Sequence, residues 1–269
     1  MTPAPRIYPL AGRRVFVAGH AGMVGAALVR RLAREDCEVL TAPRAELDLA
    51  DPRAVAAFFA AERPQAVVLA AARVGGIEAN RTRPADFLRD NLAIQLAVIH
   101  EAWRAGVEKL MVLGSSCIYP RDAPQPIPEE ALLSGPLEPT NEAYAVAKIA
   151  GLKMAQAYRR QHGADFIAAQ PTNLYGPGDN YDPTGSHVLP ALIRRAAEAA
   201  DAGRPLQVWG SGAPLREFLH ADDLADALVF VMERYTDDLP INIGSGEEIS
   251  IRGLAALCAE AAARPGRPP

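Results

Sequence analysis

The sequence has no apolar run approaching the roughly 20 residues that cross a bilayer, and residues 1–10 lack the charged start and long apolar centre of a secretory leader. Both absences argue against a membrane-spanning or exported protein. Cysteine is scarce: Cys37, Cys117 and Cys258 stand far apart, with no pair at metal-ligand spacing and no basis for a disulfide framework. No metal site is therefore expected, and a reducing cytoplasm is the expected compartment. A strong charge of one sign is missing as well. The formal net charge is −4 over 269 residues, so any nucleotide has to be held by local positive groups, and nucleic acid is not an expected partner. No internal repeat is visible.

What is present is an alternation of short apolar runs and amphipathic stretches. Val15, Phe16, Val17 and Ala18 form a buried strand over residues 14–19, ending at a glycine. A helix follows over 22–34, with Val24, Leu28 and Leu32 at helical spacing. Strands are expected at 38–41, 66–70, 109–114 and 166–169, and helices at 52–61 (capped by Asp51), 85–105 and 143–161. Strands alternating with helices predict an α/β fold: a doubly wound parallel sheet of the Rossmann type. Residues 171–190 are dense in Pro, Gly, Asn and Asp and read as loop. Beyond them the pattern predicts a helix at 188–202, strands at 206–209 and 217–220, a helix at 221–234, a strand at 241–243 and a helix at 251–263. The expected organisation is a dinucleotide-binding domain over 1–175, to which 214–243 return, and a small, incomplete substrate lobe from 176–213 and 244–269.

The turn between the first strand and the first helix is Gly19-His20-Ala21-Gly22-Met23-Val24-Gly25. Glycines spaced by three satisfy what a pyrophosphate asks for: a tight turn, close backbone approach, and helix N-terminal N–H groups facing the anion. Past the second strand stand Arg44, Glu46 and Asp48. An arginine there accommodates a ribose 2′-phosphate, whereas an acidic residue would bond a free 2′-hydroxyl. Arg44 comes first, favouring the phosphorylated cofactor.

Tyr144 and Lys148 lie four apart in a helical stretch and so share a face. A lysine cation beside a phenol is expected to lower the tyrosine's pKa toward neutrality, as a group that gives a proton to a carbonyl oxygen requires. Ser115 follows a predicted parallel strand, at the end of the sheet where ligands bind, and its hydroxyl can bond a developing oxyanion.

With these residues in place the chain resembles the extended short-chain dehydrogenase/reductases, and among them the GDP-L-fucose synthase family. The carrying stretches are Val17-Ala18-Gly19-His20-Ala21-Gly22-Met23-Val24-Gly25, Ala72-Arg73-Val74-Gly75-Gly76-Ile77, Leu113-Gly114-Ser115-Ser116-Cys117-Ile118-Tyr119-Pro120 and Leu137-Glu138-Pro139-Thr140-Asn141-Glu142. They continue through Tyr144-Ala145-Val146-Ala147-Lys148-Ile149-Ala150-Gly151, Pro171-Thr172-Asn173-Leu174-Tyr175-Gly176-Pro177 and Arg216-Glu217-Phe218-Leu219-His220. The resemblance implies epimerisation at C3 and C5 of GDP-4-keto-6-deoxy-D-mannose, then reduction of the C4 ketone with NADPH. It implies that Ser115, Tyr144 and Lys148 serve the reduction, and that Cys117 and His187 are base and acid for the epimerisations. It implies NADP(H) contacts from Gly19, Gly22, Met23, Val24, Gly25, Arg44, Asp48, Ala71, Tyr144, Lys148, Pro171, Asn173, Leu174 and His187. It also implies GDP-sugar contacts from Asn173, Val188, Arg195, Trp209 and Arg216, and a homodimer packed through the helices at 85–105 and 143–161.

By residue type alone, Cys117 reads as a small buried side chain, Trp209 as a core residue and Arg195 as a solvated helix position. Two features depart from the family. Ala21 stands where members usually carry an arginine that helps hold the 2′-phosphate. Members also continue past residue 269, so a shortened lobe, weaker nucleotide-sugar affinity and an exposed apolar patch are expected. Rival readings are an enzyme of the GDP-colitose type, needing one inversion, and a cofactor-binding protein without turnover.

Overall fold

A computed structural model describes residues 5–183 and 185–263. Six strands form one parallel sheet: β1 (Arg14–Ala18), β2 (Glu38–Leu40), β3 (Ala66–Leu69), β4 (Lys109–Leu113), β5 (Asp165–Pro171) and β8 (Ile241–Ile243). They run in the order β2-β1-β3-β4-β5-β8. The central strands are near-continuous apolar runs because both faces are covered. On one face α1 (Met23–Leu32) and α7 (Ala221–Arg234) bury Leu28, Leu32, Leu224 and Leu228 against Val15, Val17 and Met111. On the other, α2 (Pro52–Glu62), α4 (Pro84–Arg104) and α5 (Glu142–His162) cover Phe16, Val67, Leu110 and Phe166. The doubly wound Rossmann-type sheet expected from the sequence is thus the observed fold.

Strand order reverses at β1, which pairs with β2 on one side and β3 on the other. A crevice opens at such a switch point, beyond the carboxyl ends of the strands. The glycine turn lies at the end of β1, and Ala71 lies just past β3.

Three short elements were not expected. A six-residue helix, α3 (Ile77–Thr82), precedes α4, and β6 (Asn173–Tyr175) and β9 (Glu248–Ser250) flank β7 (Leu215–His220) in a separate three-stranded sheet. β6 pairs with β7 in parallel and β9 pairs with it antiparallel. The segment 206–209 is no strand, contrary to the expectation from its sequence. Without a ladder partner, Leu206 and Val208 instead pack on α6 (Val188–Asp201) and α8 (Ile251–Ala263), around Leu189, Leu192, Leu254 and Ala255. Ile193 on α6 and Leu257 on α8 remain exposed. Among the described residues no helix is long and apolar enough to cross a membrane.

Candidate active site

The glycine turn is held by two close approaches. Gly19 adopts φ 94°, and a Cβ there would lie 2.6 Å from the Ala71 nitrogen. A Cβ on Gly25 would lie 2.1 Å from the Gly19 carbonyl oxygen. Gly22 differs: its Cβ would meet only the Gly19 oxygen, at an ordinary 3.6 Å. Gly22 is also the N-cap of α1, and no side chain caps the helix there. The N–H groups of its first turn are therefore left for a ligand, and the surface before them is open, which fits a pyrophosphate. Met23 and Val24 open the helix, partly buried beneath this surface. Arg44 and Asp48 are exposed in the turns after β2, and the Asp48 carboxylate accepts from the Ala50 N–H at 3.0 Å.

The proton-transfer candidates gather beyond β4. Lys148 is buried on α5, and its ammonium donates to the Leu113 carbonyl at 2.8 Å while standing 5.8 Å from the centre of the Tyr144 ring. Phe87 on α4 meets that ring edge-on at 6.5 Å. Ser115 caps a short 3₁₀ turn, Ser116–Ile118, its hydroxyl accepting from the Cys117 N–H at 3.5 Å. One helical turn of α5 and one strand end thus bring Ser115, Cys117, Tyr144 and Lys148 together.

Burial dominates the electrostatics of this group. It pushes the Tyr144 phenol well above its ordinary value, with the nearby Cys117 adding to the rise, and it lowers Lys148 to about 8. The tyrosine lowered by its lysine, as expected from the sequence, is therefore not what the free site shows. The lysine is engaged with a backbone carbonyl, and desolvation of the phenolate sets the direction. Desolvation likewise raises the Cys117 thiol, against the Ser115 hydroxyl and the Lys148 charge, which lower it.

His187 stands at the N-cap of α6, open to solvent yet surrounded by enough protein that desolvation lowers its pKa, against the pull of Asp179. Pro171 ends β5, and Asn173 and Leu174 lie on β6, where the Asn173 amide donates to the Glu217 carbonyl at 2.9 Å. Val188 begins α6. Farther out, Trp209 is 80% exposed and not a core residue. The Arg195 guanidinium lies 4.7 Å from its ring centre and also donates to the Gln207 carbonyl. Arg216 projects from β7, exposed, donating to the Leu215 carbonyl at 2.7 Å.

One supporting residue escaped the sequence reading. Gln170, buried in β5, accepts the Ser115 N–H at 3.0 Å, and a Cβ on Gly114 would fall 1.6 Å from the same oxygen. A polar residue closing the apolar run Phe166-Ile167-Ala168-Ala169 was the available signal.

The sequence profile of the NAD dependent epimerase/dehydratase family matches residues 15–244. A GDP-L-fucose synthase of Sinorhizobium fredii is 59% identical over 253 residues, covering 93% of this chain and 80% of the relative. A GDP-L-colitose synthase of Yersinia pseudotuberculosis is 35% identical over 242 residues, covering 88% of this chain and 78% of the relative. Among solved structures, a GDP-L-fucose synthetase of Naegleria fowleri bound to NADP superposes with a TM-score of 0.87 at 30% identity, covering 97% of this chain and 81% of that one. Family profile, sequence relatives and fold agree, and the chain belongs to the NAD dependent epimerase/dehydratase family, among its GDP-L-fucose synthases.

Proposed function

We propose that the chain converts GDP-4-keto-6-deoxy-D-mannose to GDP-L-fucose, inverting C3 and C5 and then reducing the C4 ketone with NADPH. The observation that carries this reading is the convergence of Ser115, Cys117, Tyr144 and Lys148 at the end of β4; His187, at the N-cap of α6, is taken as its partner. The much higher identity to a fucose synthase than to a colitose synthase favours two inversions over one. The complete Tyr-Lys-Ser set argues against a silent cofactor-binding protein.

Gly19, Gly22, Met23, Val24 and Gly25 would hold the pyrophosphate of NADP(H), with Ala71 flooring the turn and Arg44 and Asp48 near the ribose. Pro171, Asn173, Leu174 and His187 would line the nicotinamide end, with Tyr144 and Lys148. When bound, NADPH supplies the hydride for C4. The protein's own residues do the rest. Tyr144, kept protonated by burial, hydrogen-bonds the C4 oxygen and gives it a proton, while Ser115 steadies the developing charge. Polarising that oxygen acidifies the hydrogens on C3 and C5. Cys117 takes a proton from one face of the ring, and His187 returns one to the other, which inverts the carbon. A thiol raised by burial makes a strong base once ionised, and the Lys148 charge favours that ionisation.

The Arg195–Trp209 pair is proposed to hold the nucleotide, with the ring facing the base and the arginine near the diphosphate. Asn173, Val188 and Arg216 complete that wall. Residues 1–175 with 214–243 are proposed as the cofactor domain and 176–213 with 244–269 as the substrate lobe. A cytoplasmic homodimer packed through α4 and α5 completes the reading.

The test follows NADPH oxidation and the product sugar during incubation with GDP-4-keto-6-deoxy-D-mannose. Tyr144→Phe is expected to cut reduction by about 10²- to 10⁴-fold with NADPH binding retained. Full reduction in that variant would refute the assignment.

A further inference from the structure

We propose that Gly76 is a positioning residue for His187: the turn it closes is a dock that fixes where the imidazole stands. The inference rests on the reading of His187 as a proton-transfer group. The Gly76 N–H donates to the Gly185 carbonyl at 2.9 Å, two residues before His187. A Cβ on Gly76 would lie 2.4 Å from the Ser186 oxygen and 3.2 Å from its carbonyl carbon. Gly76 has φ −67°, a conformation open to any residue, so glycine is required here by close approach and not by backbone shape.

Both sides of the contact are tied by hydrogen bonds. The Asn80 amide, itself buried, donates to the carbonyls of Gly75 at 2.7 Å and Gly76 at 3.1 Å. Asn91 on α4 grips the backbone of Arg73 from both sides, accepting its N–H at 2.9 Å and donating to its carbonyl at 3.0 Å. On the opposite side, Asp182 accepts the Gly185 N–H at 2.7 Å on its carboxylate and the Ser186 N–H at 3.2 Å on its backbone oxygen. A displaced Ser186 therefore carries His187 with it. Phe87, which meets the edge of Tyr144, lies 3.0 Å from where a Cβ on Gly75 would stand. The same turn thus adjoins Phe87 beside Tyr144 on its Gly75 side and the Gly185–Ser186 segment that leads into His187 on its Gly76 side.

Restoring an ordinary contact after Gly76→Ala needs a shift of about 1 Å, and a misplacement of that size costs roughly 100-fold in a positioned reaction. The experiment compares Gly76→Ala, His187→Asn and the double variant as full chains, with NADPH and GDP-4-keto-6-deoxy-D-mannose in deuterated water. Inversion at C3 and C5, NADPH oxidation, NADPH affinity and melting temperature are read separately. Gly76→Ala is expected to lose inversion roughly 100-fold while still oxidising NADPH, with an NADPH affinity no lower than that of His187→Asn, leaving an incompletely inverted deoxyhexose. The double variant is expected to be no worse than His187→Asn, since both act through one group.

Losses that multiply in the double variant, or full inversion in Gly76→Ala beside an inactive His187→Asn, would overturn the dock and leave the His187 reading standing. Full inversion in His187→Asn would overturn both. If Gly76→Ala does not fold, Asn80→Ser loosens the same dock without adding bulk, and the same outcomes decide.

Discussion

Replacing Gly25 with alanine sets two effects of known size against each other. Gly25 lies in the first turn of α1, where alanine would ordinarily stabilise the helix by up to about 1 kcal/mol. Its Cβ, however, would stand 2.1 Å from the Gly19 oxygen, 2.7 Å from the Gly19 carbonyl carbon and 2.8 Å from the His20 Cα. All three are backbone atoms and cannot swing aside. Opening the turn by more than 1 Å falls at the upper end of overpacking costs, about 3 kcal/mol. The net loss is about 2 kcal/mol, or a fall in melting temperature of about 4–8 °C for a chain of this size. Calorimetry of the cofactor-free protein measures it, and an unchanged or raised melting temperature would refute the packing argument. Gly22→Ala is the counterpart. Its Cβ meets nothing closer than 3.6 Å, so it costs stability no more than about 1 kcal/mol. It does occupy the surface left open for the pyrophosphate, and NADPH affinity is expected to fall roughly tenfold or more. Equal stability losses in the two variants would show that the turn does not distinguish a packing glycine from a ligand-facing one.

Cys117→Ala is expected to stop incorporation of solvent deuterium at the carbons beside the ketone while NADPH binding persists, as mass spectrometry of the sugar and a binding titration would show. Lys148→Met tests the buried ammonium. With its folded-state pKa at about 8, below the ordinary lysine value, the folded chain releases this proton first, so the wild type gains stability as pH rises from about 8 toward about 10. Urea unfolding at intervals across that window is expected to show the gain in the wild type and its loss in the variant; parallel curves would sink the assignment. Trp209→Ala, at an exposed position, is expected to leave the melting temperature unchanged and raise the substrate KM roughly tenfold, in line with about 1–3 kcal/mol for base stacking.

How much of this was legible depended on the range over which a signal acts. Val15–Ala18 and Leu110–Leu113 showed themselves as strands because burial on both faces makes a strand uniformly apolar. The Tyr144–Lys148 pair was visible because four residues make about one helical turn. β6 and β9, three residues each in stretches rich in Pro, Gly and polar residues, owe their existence to pairing with β7 and leave no local mark. Residues 206–209 carry mostly apolar, strand-favouring side chains without a strand's neighbour. Gln170 reaches Ser115 across 55 positions, and Gly76 reaches Gly185 across a still longer gap; no local pattern encodes either contact. The direction of the Tyr144 pKa was missed for a related reason. Spacing along a helix reports that a lysine is near but not how deeply both groups are buried.

The chain has two tryptophans, and the fold gives them opposite surroundings. Trp103 sits among His100, Tyr158 and His162, with ring centres 4.3 to 5.8 Å away, while Trp209 stands in water against Arg195. Their light is therefore separable. Exposure assigns the red edge of the emission to Trp209, and a purine laid on that indole, as proposed above, is expected to quench it with Trp103 unaffected. On the proposed reading the protein would carry its own optical gauge for nucleotide occupancy, readable without turnover, label or cofactor, and silent in Trp209→Ala.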